Sequence, residues 1–173
     1  MKQHQIKIRE LTLLAMLTAI LFVQETALSW IPNVQLSVVL VMVYGATLGL
    51  PKASAVITLH VLLDNMLWGS FSPITTLPMW LGWLTVTLIG YLLRKAPLAA
   101  IVGGAVAGSL LYCWWFVPFN YLFLNIHPIA YLGADLVFEI ILCCSSVLTV
   151  MFCYRPAERL ILGYYKKYIF SKE

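Results

Sequence analysis

His60, Asp64 and Asn65 stand inside an otherwise apolar run, and Asp135 and Glu139 repeat the four-residue spacing in another. Residues four apart share one face of a helix. An ionisable side chain within a hydrocarbon-spanning segment costs roughly 3 kcal/mol even on a lenient insertion scale, so it faces a bundle interior, a partner or a bound molecule. Two readings fit His60, Asp64 and Asn65. In one they contact a ligand, with Asp64 orienting the imidazole; in the other they form an interhelical hydrogen-bond network that only locks a bundle. Asp135 and Glu139 are close enough to resist carrying two charges, so one of them needs a proton, a hydrogen bond or a cation.

Other chemistry has few residues to carry it. The chain has no nucleophile-elbow, zincin or phosphate-loop motif, and no enzymatic activity is expected. Cys113, Cys143, Cys144 and Cys153 fall in apolar runs without zinc or disulfide spacing, and read as packing residues. His60, Asp64, Asp135 and Glu139 together would suit several divalent ions. They sit on separate segments with no HxxxH or Cys/His pattern, so neither a metal nor a cofactor is expected.

The elements that position these groups are membrane helices. The 173 residues are 62% hydrophobic and 10% charged, against roughly 45–50% and 25% in soluble domains. Crossing a bilayer takes about 20 residues, with ~17 as a lower bound. Six candidate spans follow: 11–28, 34–50, 53–68, 74–93, 97–119 and 131–154. They use the whole length, which predicts an all-α membrane protein, 1–173 forming one integral-membrane domain. The first span is expected to be retained as a helix rather than removed as a signal peptide. Arg155-Pro156 is expected to end the last span, and 157–168 reads as a basic interfacial segment. In the fifth span Gly104 and Gly108, four apart, are expected to let another helix approach closely.

With six crossings all eleven lysines and arginines fall on one side: Lys2, Lys7, Arg9, Lys52, Arg94, Lys95, Arg155, Arg159, Lys166, Lys167 and Lys172. Positive charge flanking short loops marks the cytoplasmic face, so both termini are expected inside. The charge is topological, and no nucleic-acid partner is expected.

The opposite side carries Glu25, Asp64, Asp135, Glu139 and all six tryptophans, Trp30, Trp68, Trp80, Trp83, Trp114 and Trp115. Interfacial tryptophans normally mark both membrane surfaces, so a one-sided set suggests an aromatic-walled pocket. The loop bearing Trp30, Asn33 and Gln35 reads as a lid or as an interfacial anchor and turn. The 120–130 loop, with Asn120, is longer than the roughly 2–8 residues a helix connection needs. The substrate-binding set drawn from this side is Trp30, Asn33, Gln35, His60, Asp64, Asn65, Trp68, Trp80, Trp115, Asn120, Tyr131, Asp135 and Glu139.

The topology, the pair Ala15-x-x-x-Ala19, the Ile31-Pro32 element and the Ala134-Asp135-Leu136-Val137-Phe138-Glu139 opening of the sixth span resemble the substrate-binding S component of energy-coupling factor (ECF) vitamin transporters. The similarity covers nearly the whole chain with short, degenerate motifs. It implies a multi-pass protein of a bacterial plasma membrane, among membrane lipid, that captures a vitamin on the outer side. It further implies docking on a transmembrane coupling subunit with two ATP-binding subunits, Ala15 and Ala19 giving the flat docking surface, and delivery by tilting in the membrane. The absence of a phosphate-binding loop agrees with ATP hydrolysis by a partner. An outer pocket without lysine or arginine disfavours carboxylate vitamins. Cobalamin ranks first, then thiamine, riboflavin or a queuosine precursor. Two alternatives from other classes stand beside this: a stand-alone cation-binding secondary carrier or channel, and a structural membrane subunit.

Overall fold

The computed structural model describes residues 2–31, 33–68 and 71–169, and the side chains within these from Lys7 to Lys167. Pro32 of the Ile31-Pro32 element, Gly69, Ser70 and Lys172 lie outside the described residues, as does the side chain of Lys2.

The described chain is α-helical: α1 Lys2–Leu28, α2 Ser37–Leu48, α3 Leu50–Trp68, α4 Pro73–Leu92, α5 Leu98–Trp114, α6 Phe116–Leu124, α7 Pro128–Tyr164 and a π-helical turn over Tyr165–Ile169. Four helical stretches are long and apolar enough to cross a membrane: Lys7–Leu28, Pro73–Leu92, Leu98–Leu124 and Pro128–Lys167.

Local chemistry sets most boundaries. Gly49, at φ 77°, turns the chain directly from α2 into α3. Ser72 caps α4 by accepting the Ile74 N–H at 3.3 Å, with Pro73 in the first turn where a missing N–H costs nothing. Asn125, left-handed at φ 55°, ends α6, and His127 Nδ1 accepts the Ile129 N–H at 3.3 Å to start α7.

Four expected boundaries are corrected. The second span, expected over 34–50, is the twelve-residue α2, shorter than the ~17 residues taken as a crossing's lower bound. The fifth span is two helices, broken at Trp115. The 120–130 loop contracts, because α6 runs to Leu124 and α7 begins at Pro128. Pro156 does not stop the last helix, which continues to Tyr164. A proline removes one N–H from the ladder, a loss membrane helices tolerate when neighbouring groups compensate. The adjoining Arg155 fastens this region by donating to Glu158 Oε2 at 2.8 Å and to the Ala96 carbonyl at 3.2 Å.

α2 forms the middle of the bundle. Its twelve residues span about 18 Å at ~1.5 Å per residue, and nine are buried. It meets α4 at two glycines: a methyl group on Gly45 would collide with the Thr87 carbonyl, and one on Gly90 with the Met42 backbone. The expected Gly104 and Gly108 pair also faces α4, but receives the side chains of Leu93, Ile89 and Val86. Ser109 and Ser146 join α5 to α7 through a 2.7 Å hydroxyl contact.

Basic groups gather at one end. Lys52 pairs with Glu10 and lies 5.5 Å from the Tyr165 ring centroid, while Tyr165 Oη donates to Glu10 Oε1 at 3.4 Å. The hydrogen bond to Glu10 raises the Lys52 ammonium above its ordinary pKa. These contacts tie the start of α3 to α1 and to the turn after α7.

Replacing Gly45 or Gly90 by alanine is expected to destabilise the protein by about 1–3 kcal/mol through overpacking. Gly103→Ala, where an added methyl meets open space, should stay within about 0.5 kcal/mol. Thermal unfolding in detergent checks the contrast, and equal shifts at the two kinds of site contradict it.

Candidate ligand-binding site

At the end of the bundle away from Lys52, α1, the described residues of the 29–36 segment, α3 and α5 line a half-open cavity of about 240 Å³. α1 supplies Glu25 and Leu28, α3 supplies Asp64 and Trp68, and α5 supplies Tyr112. Asp64 and Trp68 are four apart on α3, which puts both on the face turned to α1. The 29–36 segment closes the remaining side with Ser29, Ile31, Asn33, Val34 and Gln35. The lining thus holds two carboxylates and two aromatic rings, and neither lysine nor arginine.

The segment is fastened on both flanks. Toward α1, the Leu36 N–H donates to Gln24 Oε1 at 2.9 Å and Gln24 Nε2 donates to Ser37 Oγ at 2.6 Å. Toward α7, Asn33 Nδ2 donates to the Phe138 carbonyl at 3.0 Å. Ser145 Oγ lies 3.2 Å from both the N–H and the carbonyl of Gln35. Asn33 has φ 59°, a left-handed conformation that asparagine accepts more readily than most residues. Its amide therefore serves both the turn and the anchor.

His60 lies behind the cavity, fully buried. Its Nε2 is 3.0 Å from Glu25 Oε2. That approach satisfies an ion-pair distance but not hydrogen-bond direction, and Nδ1 has no hydrogen-bond partner either. The expectation that Asp64 orients this imidazole is corrected: among the described residues Glu25 is the carboxylate within ion-pair reach. Histidine and glutamate meet because α1 and α3 pack side by side, a pairing 35 positions apart that helical spacing does not reveal. Ser37 Oγ, 3.3 Å from Glu25 Oε2 and 3.1 Å from Gln35 Oε1, has one proton to give and faces two acceptors.

The predicted set divides. Asn33, Gln35, Asp64 and Trp68 line the cavity, with His60 against Glu25. Trp30 is 76% exposed and does not line it. Asn65 braces α3 on α4, its Oδ1 accepting from Thr76 Oγ1 at 2.8 Å. Trp80 donates to Thr58 Oγ1 at 3.0 Å and Trp115 to Thr85 Oγ1 at 2.9 Å, so both indoles fasten neighbouring helices. Trp115 also borders a shallow groove with Trp114 and Leu111. Buried Asn120 donates to the Phe116 carbonyl at 2.8 Å within α6. Of the six tryptophans, Trp68 alone lines the cavity; Tyr112, whose ring is tilted 37° to that of the buried Trp83 with centroids 4.3 Å apart, provides the other ring.

Asp135 and Glu139 form a separate cluster with Cys113 of α5, their ligand atoms all within 4.8 Å of one another. Tyr131 lies one turn before Asp135 on α7, on the same helical face. Sequence reasoning left out Tyr112 and Cys113. Both come from α5, whose rotation toward α3 and α7 no motif announces. Glu25 was visible as an outer-side acid, without its partner.

Ala15 and Ala19 are exposed on α1, on a face continued by Met16, Ile20 and Val23. No protein family, curated protein or solved structure matches the chain significantly.

Each fastening of the 29–36 segment is a hydrogen bond worth about 1 kcal/mol net, equivalent to about fivefold in an opening equilibrium. Gln24→Ala and Ser145→Ala are each expected to speed amide exchange at Gln35 and Leu36 by about that factor. Hydrogen–deuterium exchange mass spectrometry of the peptide covering 29–37 checks this, with Ser54→Ala as the control.

Proposed function

We propose that this chain is the S component of an ECF-type importer. It binds a vitamin on the outer side and delivers it inward by tilting on a coupling subunit driven by two ATP-binding subunits. In this reading residues 1–173 are one integral-membrane domain of a bacterial plasma membrane, with six crossings and cytoplasmic termini. α2 and α3 complete the count begun by the four longer spans. Its Lys/Arg-rich end, where Lys52 meets Glu10 and Arg155 meets Ala96, faces the cytoplasm by the positive-inside rule.

The observation that carries the proposal is the cavity at the opposite end. Glu25 and Asp64 supply negative charge, Tyr112 and Trp68 supply ring faces, and no cationic side chain competes. A ring-bearing cation or neutral heterocycle satisfies such a lining through cation–π and charge-assisted contacts. The volume of about 240 Å³ is below the roughly 300–1,000 Å³ of pockets that enclose drug-sized ligands. Thiamine, a small aromatic cation, therefore moves ahead of riboflavin and a queuosine precursor. Cobalamin, ranked first from the sequence, would keep most of its bulk outside this cavity. The exposed Ala15 and Ala19 face on α1 supports docking, since small side chains let another helix lie flat.

One observation favours the secondary-carrier alternative: the cluster of Cys113, Asp135 and Glu139 offers donors to a cation. Uptake that persists without the ATP-binding subunits would select it.

Mass spectrometry of the small molecule that copurifies with the chain is expected to identify a heterocyclic vitamin. Asp64→Ala and Trp68→Ala should each weaken its binding at least about tenfold, as loss of a charged or stacking contact worth ~1.4 kcal/mol or more implies. Tyr164→Ala, near the basic end, should not. Equal calorimetric effects at all three positions contradict the site. Arginine at Ala15 and Ala19 should abolish uptake while ligand affinity persists; normal transport by that variant refutes docking on α1.

A further inference from the structure

The cluster between α5 and α7 stands apart from the vitamin cavity, and its chemistry does not depend on the transport reading. Cys113 Sγ and one carboxylate oxygen each from Asp135 and Glu139 lie within 4.8 Å of one another. Cys113 is 6% exposed and Glu139 7%. Among the described residues Glu139 Oε1 is buried without a hydrogen-bond partner of its own, while the Trp114 indole bonds the same carboxyl and the Cys113 thiol is close by. An acceptor removed from water is expected to have a donor or a cation. The stretch that bears the cluster has no lysine or arginine to supply a cation, since none occurs between Arg94-Lys95 and Arg155.

We propose that Cys113, Asp135 and Glu139 bind a divalent transition-metal ion of the Zn²⁺ or Co²⁺ class. One sulfur with two carboxylate oxygens is a donor set of mixed softness that such ions accept, whereas Mg²⁺ and Ca²⁺ take oxygen. Metal–ligand bonds of ~2.0–2.3 Å in a tetrahedron put donors roughly 3.3–3.8 Å apart. Binding therefore requires side-chain rotation to draw the three donors together from separations of up to 4.8 Å. Three protein ligands leave a fourth position for water or a small anion. The i, i+4 pair on α7 gives two ligands from one helical face, and α5 is held against that face by the contact of Ser109 with Ser146. On binding, the ion replaces the thiol proton of Cys113, which passes to solvent, so affinity rises with pH.

The test uses the full chain in nanodiscs, stripped with chelator and carrying no polyhistidine tag, titrated with Co²⁺ and with Zn²⁺. One equivalent per chain is expected, with a thiolate-to-cobalt charge-transfer band. Cys113→Ser should abolish that band, and Glu139→Gln should weaken binding at least about tenfold. Cys153→Ser, exposed on α7, should change neither. Bound Zn²⁺ should also protect Cys113 of the unmutated chain from maleimide, read by peptide mass spectrometry, a measurement that needs no folded variant. No stoichiometric binding, bound Co²⁺ without the thiolate band, or unprotected Cys113 at saturating Zn²⁺ would each overturn the proposal.

Discussion

A twelve-residue helix of nearly pure apolar composition cannot cross a bilayer unaided, and α2 persists because its neighbours cover it on every side. That coverage has two requirements. The backbones of α2 and α4 must approach at Gly45 and Gly90, where no side chain fits. The N-terminal end of α2 must also find partners for its polar groups, because water is not available to a buried helix end. Leu36 provides no side-chain cap, and the Gln24 amide on α1 takes up its N–H instead. The interaction that completes α2 is thus the one that holds the segment over the cavity.

The architecture of the site follows from this. Because α2 is short, the chain from α1 returns over the end of the bundle through residues 29–36, and that return forms a wall. Gln24 and Ser37 fix it on the α1 side; Ser145 and the Phe138 carbonyl fix it on the α7 side. Beneath it α3 presents Asp64 and Trp68, while His60 and Glu25 pair one turn deeper. Polar residues that are costly in a membrane are concentrated around one cavity and one cluster. Asn65, Trp80 and Trp115 instead serve contacts between helices.

The residues after α1 are held by a few hydrogen bonds on each flank, whereas the α2–α4 contact behind them is fixed by backbone approach at Gly45 and Gly90. The opposite end differs in kind: Lys52, Glu10 and Tyr165 join α1, α3 and the turn after α7.

Composition and hydrophobic run length by themselves determined that the chain is all-helical and compatible with a membrane, and the spacing of His60 with Asp64 and of Asp135 with Glu139 determined which carboxyls share a helical face. The turn at Gly49 and the cap at Ser72-Pro73 depend on a few consecutive residues, because positive φ and capping are local properties. Tertiary structure decided the rest. It chose Glu25 over Asp64 as the partner of His60, separated Asp135 and Glu139 from the cavity, and assigned Trp80 and Trp115 to bracing. It also carried α7 through Pro156. Each of these depends on how a helix is rotated toward its neighbours, and in a chain this uniformly apolar the hydrophobic pattern leaves that rotation nearly undetermined.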